Sequence, residues 1–181
     1  MDGAEMSAGA EAALARVRRR AAELRVSNKM KQVMREEEGA HMQVYRDITG
    51  VLTVGVGHVV RPEDGLQVGD VITESQLMQF LTEDLEIAER TVRGMVGDLK
   101  LDQHEYDALV DLVFNIGPGN VSADKSPRLH GAIRERDYVA MANELIYSLD
   151  RMGRPAPGLK HRSERRRRIF RDKTYDDPRK T

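Results

Sequence analysis

Two carboxylates nine residues apart, Glu38 and Asp47, stand in the stretch REEEGAHMQVYRDITGVLTVGVGH, residues 35–58. A carboxyl pair can give a proton to one side of a bond while it steadies a nucleophile on the other. That chemistry needs the two groups within several ångströms, whereas nine residues of strand would hold them roughly 30 Å apart. The chain must therefore double back between them, and the intervening residues supply the reversal. Met42 to Asp47 reads as a strand, Ile48-Thr49-Gly50 as its turn, and the β-branched run Val51 to Val56 as the return strand. Asp47 then sits at the turn. Glu38 closes a helix that Ser27 or Asn28 can cap and that Gly39 ends. The negative end of a helix dipole and partial burial both disfavour ionisation of a carboxyl there, which suits a general acid. Without further information, Glu36, Glu37 and Glu38 alike read as a solvated helix face.

Composition narrows the alternatives. The 181 residues, 40% of them hydrophobic, suit one domain that can have two lobes. The absence of Cys removes disulfides, thiol catalysis and cysteine zinc sites, without fixing the compartment. The five His show no metal-ligand spacing and the acids no calcium-loop pattern, so no cofactor and no metal are expected. No Ser stands in a nucleophile-elbow context, and no Lys-Ser/Thr follows Gly55 and Gly57 to make a phosphate loop. A net charge of -1 argues against nucleic acid as a partner of the whole molecule. Apolar runs fall far short of the ~20 residues of a membrane span, and the first residues lack a signal-type apolar core. The expectation is a soluble chain made without a signal peptide.

The elements that must position the acids follow in order. Residues 1–28 read as a lead and an Ala/Arg-rich surface helix from Glu11 to Val26, with Leu14, Val17, Ala21 and Leu24 as its stripe. After a loop from Arg61 to Val71, Thr73-x-x-Gln76 is a capping box opening a helix to about Val96. Such a helix, about 36 Å long, exceeds what one small core needs and is expected to join two lobes. Asp102 caps the next helix, through Tyr106, Leu109, Val110 and Val113, which should be the central buried one. Asn115, near its end, is either a satisfied core amide or a group facing a cleft. Ser126-Pro127 opens a further helix, another runs from about Asp137 to Leu149, and Arg151 to Pro157 is a loop. Between Lys160 and Lys173 eight Lys/Arg stand against two acids, a density that ordinarily forms a solvated face. Residues 173–181 read as a frayed polar tail.

The stretch EEGAHMQVYRDITGVLTVGVGH, with its Glu-Gly, Tyr-x-Asp-x-x-Gly and Thr-x-Gly-x-Gly-His, resembles the phage-type lysozymes, the T-even and lambdoid endolysin family. ITESQLMQFLTEDL resembles that family's inter-lobe helix, DALVDLVFNIG its buried central helix and PGLKHRSERRRRIF its C-terminal element, so that about residues 29–172 are covered as the catalytic domain. The resemblance implies an α+β, two-lobed fold, a small antiparallel sheet lobe and a helical lobe joined by a long helix. It implies a muramidase that hydrolyses the β-1,4 bond between N-acetylmuramic acid and N-acetylglucosamine, with inversion. Glu38 would be the general acid, Asp47 the second carboxylate, and Thr53 the residue that helps place water. Arg162 would approach the acid as its counter-ion, His58 and Asp84 would form an internal ion pair, and Asn115 would line the cleft. Ser163 departs from the second Arg of lambdoid members, and Arg166 stands where many carry Glu. The implied partner is the peptidoglycan glycan strand, reached in the periplasm or cell wall by a monomer made in the bacterial cytoplasm. An inhibitor or immunity protein would suit a delivered enzyme, and the basic C-terminal helix suggests an anionic envelope surface. Lytic transglycosylation and a non-catalytic wall-binding module are the alternatives.

Overall fold

Two of the long helices begin where a short polar side chain takes an unpaired amide. The computed structural model describes residues 18–146, 157–177 and 179–180. In it α1 (Asn28–Glu38) starts behind Ser27, whose hydroxyl accepts from the Met30 amide at 3.1 Å. The expected Thr73/Gln76 capping box opens α2 (Glu74–Val96), and Asp102 with Glu105 forms a second box ahead of α3 (Gln103–Ile116). Then come α4 (Pro127–Glu135), with Pro in its first turn, α5 (Tyr138–Asn143), capped by Asp137, and α6 (Pro157–Asp172).

The sheet lobe is an antiparallel trio, β2 (His41–Arg46), β3 (Leu52–Gly55) and β4 (His58–Val59), in that order. Tyr45 faces Thr53 across β2 and β3, and Val54 faces His58 across β3 and β4. The strand β4 goes beyond the hairpin expected from sequence. Gly55 and Gly57, at φ 64° and 80°, turn the chain tightly enough for His58 to pair back. Along β2 the register shifts between His41 and Tyr45, and there Met42 and Val44 bond outward to Ile72 and Asp70 instead.

Leu77, Leu81, Leu85, Ala88 and Val92 form a buried stripe along α2, which touches β3 and β4 as well as α3, so this helix joins the lobes. In α3 every residue from Glu105 to Val113 is buried, as expected for the central helix. The core is continuous from Met34, Val44 and Val54 through Leu85 to Leu109, Met141 and Phe170. This is the α+β, two-lobed arrangement expected from sequence.

Three expectations need correction. Residues 11–17 of the N-terminal helix lie outside the described residues, but 18–26 are not α-helical. Instead β1 (Arg19–Arg20) pairs with β5 (Lys100–Leu101), Ala21–Glu23 make a single 3-10 turn, and the chain runs extended into Ser27. The cause is tertiary. Ala21 and Leu24 enter the core, and the amides of Val26 and Ser27 donate to the buried carboxylates of Glu89 (2.6 Å) and Asp107 (2.9 Å). The C-terminal stretch is not frayed, because Tyr175 is buried with its hydroxyl on Asp107 at 2.7 Å, and Arg179 pairs with Glu37 and Asp177. Finally, α5 stops at Asn143, short of the expected helix; residues 147–149 of that helix and 151–156 of the loop after it lie outside the described residues.

Candidate active site

Glu38 is the last residue of α1, and Gly39, at φ 74°, turns the chain straight into β2. The strand delivers Asp47 to the tip of the β2–β3 hairpin, closed by the Asp47 amide on the Val51 carbonyl at 2.9 Å and the Gly50 amide on the Asp47 carbonyl at 2.9 Å. Thr53 sits buried on β3, opposite Tyr45, and its hydroxyl donates to the Val51 carbonyl at 3.3 Å. One α-helix end and one hairpin thus carry all three groups.

Asp47 accepts from the Thr49 hydroxyl (2.7 Å), the Thr49 amide (2.8 Å) and the Val51 amide (2.9 Å), all at Oδ1. These donors, the Thr49 hydroxyl foremost and then the Val51 amide, hold its carboxyl below the usual carboxylate range. If an ionised Asp47 is required for activity, its acid limb lies below the ordinary ~3.9 of an aspartate. Thr49→Val, which removes the hydroxyl but keeps the amide, should move that limb to higher pH. Clearing rates of purified peptidoglycan sacculi across the acid range would measure the shift.

Arg162 reaches Glu38 from the far end of the chain. Its Nη1 pairs with Glu38 Oε1, while its Nη2 donates to Asp111 Oδ1 on α3 at 2.8 Å. The side chain of Arg162 is 7% exposed and that of Glu38 37%, so a buried cation presents itself to an accessible acid. Burial opposes the charge on Arg162, but Asp111 and Glu38 raise its pKa above the ordinary value. Asp111 in turn accepts from Arg166 Nε at 2.6 Å, and Arg166 Nη2 donates to Asn115 Oδ1 at 3.1 Å. Burial alone would raise the Asp111 carboxyl, yet Arg162 and then Arg166 outweigh it and hold it down to about 2. Unfolded, the same carboxyl titrates near ~3.9, so its contribution is complete above that pH and disappears as pH falls through 2. Urea unfolding between neutral pH and about pH 2 should therefore lose about 2 kcal/mol from this group, most of it below about pH 4.

His58 and Asp84 meet as the resemblance implied, with Nδ1 2.9 Å from the Asp84 carboxylate. The ring is also bonded through Nε2 to Asp64 (3.1 Å) and stacked on Phe80 at a centroid distance of 4.2 Å. Arg61 adds a contact to Asp84 at 3.2 Å. This cluster fastens β4 to α2 and to the following loop.

The C-terminal helix is not a solvated basic face. Arg162, Arg165 and Arg166 are buried, and Arg165 binds Glu37 (2.8 Å), Glu36 (2.9 Å) and the Tyr175 carbonyl (2.7 Å). Glu37, expected in solvent, has a side chain 6% exposed and takes Arg179 as well. Each of those arginines is matched by a carboxylate from α1 or α3. Asn115 resolves toward an amide held by Arg166. Asp111 and Arg166 are the site neighbours that sequence reasoning left unassigned. The signal was present: Asp107, Asp111 and Asn115 recur every four residues along an otherwise apolar helix, and Arg162 and Arg166 repeat at the same interval on α6.

The chain has relatives among known proteins. The family model described as phage lysozyme matches residues 35–166. The endolysin of Salmonella phage P22 is 30% identical over 138 residues, which cover 76% of this chain and 91% of that protein. An endolysin of Acyrthosiphon pisum secondary endosymbiont phage 1 is 28% identical over 151 residues, covering 81% and 98%. Among solved structures, a mutant of P22 lysozyme superposes with a TM-score of 0.70 at 28% identity, covering 81% of this chain and 98% of its own.

Proposed function

The chain belongs to the phage lysozyme family, and from that premise we propose how its residues divide the work of cutting peptidoglycan. It is a peptidoglycan-degrading lysozyme, a glycoside hydrolase of muramidase type. Glu38 gives its proton to the oxygen that leaves the scissile β-1,4 bond between N-acetylmuramic acid and N-acetylglucosamine. Asp47, ionised, and the Thr53 hydroxyl hold and activate a water on the opposite face of the sugar, so that the anomeric centre inverts. Water attacks the anomeric carbon, its bond to the leaving oxygen breaks, and the water's proton passes toward Asp47. An inverting pair works at a separation of about 6.5–9.5 Å.

The observation that carries this division is the junction of α1 with the hairpin, which sets Glu38, paired to Arg162, at the start of the strand that delivers Asp47. Arg162 steadies the acid, and Asn115, half-buried with its Oδ1 on Arg166, lines the cleft. The glycan strand lies in the periplasm or cell wall, which is where the enzyme acts. The cations of α6 left at the surface, Lys160 and Arg171 with Lys173 after it, offer a smaller attraction to anionic envelope surfaces than the full run of arginines would.

The test is the product. Sacculi digested by native protein should yield reducing muramic ends, with the α-anomer formed first if the reaction inverts, as read by proton NMR. Asp47→Ala should cut the clearing rate at least about 100-fold. Anhydro-sugar products from a fully active Asp47→Ala protein would make the enzyme a lytic transglycosylase instead.

A further inference from the structure

Behind the accessible acid, Glu38, stands a buried row of alternating charges, Arg162, Asp111 and Arg166, ending at the amide of Asn115. The side chains of Arg162, Asp111 and Arg166 are 7%, 3% and 0% exposed. Such a group is a poor source of stability, since apolar residues of similar volume commonly hold a fold as well. What it does supply is direction. A guanidinium is a rigid planar fork, and a carboxylate that fixes one of its arms fixes where the other points.

We propose that Asp111 and Arg166 are positioning residues for bond cleavage, Asp111 holding one arm of Arg162 so that the other meets Glu38, and Arg166 locking Asp111 in place. This rests on Glu38 being the general acid. Arg162 brought alone to that carboxyl would favour its ionised form, the wrong form for giving a proton. Asp111, on the opposite arm, offsets the cation, and Arg166 offsets Asp111, so the row sets how much positive charge the acid feels. The other charges packed around it are engaged elsewhere. Glu36 and Glu37 on α1 bind Arg165 of α6, with Arg179 and Lys180 of the C-terminal stretch beside them. Arg35 of α1 is paired with Glu74 of α2.

Asp111 and Arg166 then act in opposite senses, which a merely structural role does not predict. Asp111→Asn removes a negative charge and should move the alkaline limb of the pH–rate profile down by about 0.5–1 unit. Arg166→Gln removes a positive charge and should move it up by a similar amount. The double variant, with no net change in charge, should bring the limb back close to that of native protein.

The experiment is initial clearing rates of purified sacculi across pH, at substrate levels where the rate follows kcat/KM, beside thermal melts of each protein. Opposed shifts that cancel in the double variant support the proposal. Limbs that stay in place while melting temperatures fall, or that move in the same direction, overturn it. Should Asp111→Asn fail to fold, Arg166→Gln still decides, since it must move the limb up while an unmoved or lowered limb overturns the proposal. Glu38→Gln, assayed in parallel, keeps the two ideas apart. Retained clearing there removes the acid assignment, whereas a dead Glu38→Gln with unshifted Asp111 and Arg166 variants removes only the positioning role.

Discussion

Glu38→Gln is expected to reduce clearing of purified sacculi by about 1,000-fold, within the range general acid catalysis contributes, while leaving the fold intact. The substitution keeps the shape of the side chain and removes only the proton that the leaving oxygen requires. Its structural cost should be small for a specific reason. Arg162, the buried partner, does not depend on Glu38 alone, because its second arm stays on Asp111 at 2.8 Å. The amide oxygen of Gln can still accept from the first arm. With the acid itself 37% exposed, the lost charge pairing is screened, and the change in unfolding free energy should stay within about 1 kcal/mol. Urea unfolding beside the turbidity assay separates the two effects. A variant that clears at a tenth of the native rate or better would show that another group supplies the proton.

The parts of this site that were legible in the sequence are those made by local chemistry. A strand, a turn and a β-branched return strand follow Gly39, so the hairpin that reverses the chain between Glu38 and Asp47 could be read from spacing alone. The same holds for Ser27, Thr73 and Asp102 as helix starts, since a cap and its amide lie within four residues of each other. What could not be read was the match between distant charges. A dense run of Lys and Arg on α6 looks solvated when the acids that bury it, Glu36, Glu37, Glu38 and Asp111, lie 51 to 129 residues away. The N-terminal segment misled for the same reason. Its Ala and Arg content favours helix, but Glu89 and Asp107, supplied by α2 and α3, take the backbone amides that a helix would have used internally. The third strand could not be read, since a two-residue strand has no periodicity to detect.

Asp107→Ala should be the most destabilising of the substitutions away from the acids. Its carboxylate is fully buried and accepts from the Ser27 amide (2.9 Å), the Ser27 hydroxyl (2.5 Å), the Gln103 amide group (2.9 Å) and the Tyr175 hydroxyl (2.7 Å). Burial, and then the Asp107 charge, push the Tyr175 phenol well above its ordinary value, so it remains a donor at any working pH. Removing the acceptor strands four donors at once, at a cost of about 3–5 kcal/mol. For a chain of this size that corresponds to a fall in melting temperature of about 10 °C. Asp107→Asn should lose less, since an amide nitrogen at the Oδ2 position would face two hydroxyls, Ser27 and Tyr175, and both can turn to accept from it. The consequence runs to the site through α1, because Ser27 caps the helix whose other end is Glu38. Hydrogen exchange should therefore show residues 18–30 and 173–177 losing protection together in Asp107→Ala. Loss at one end alone would mean that the two chain segments dock independently, with Asp107 serving only one of them.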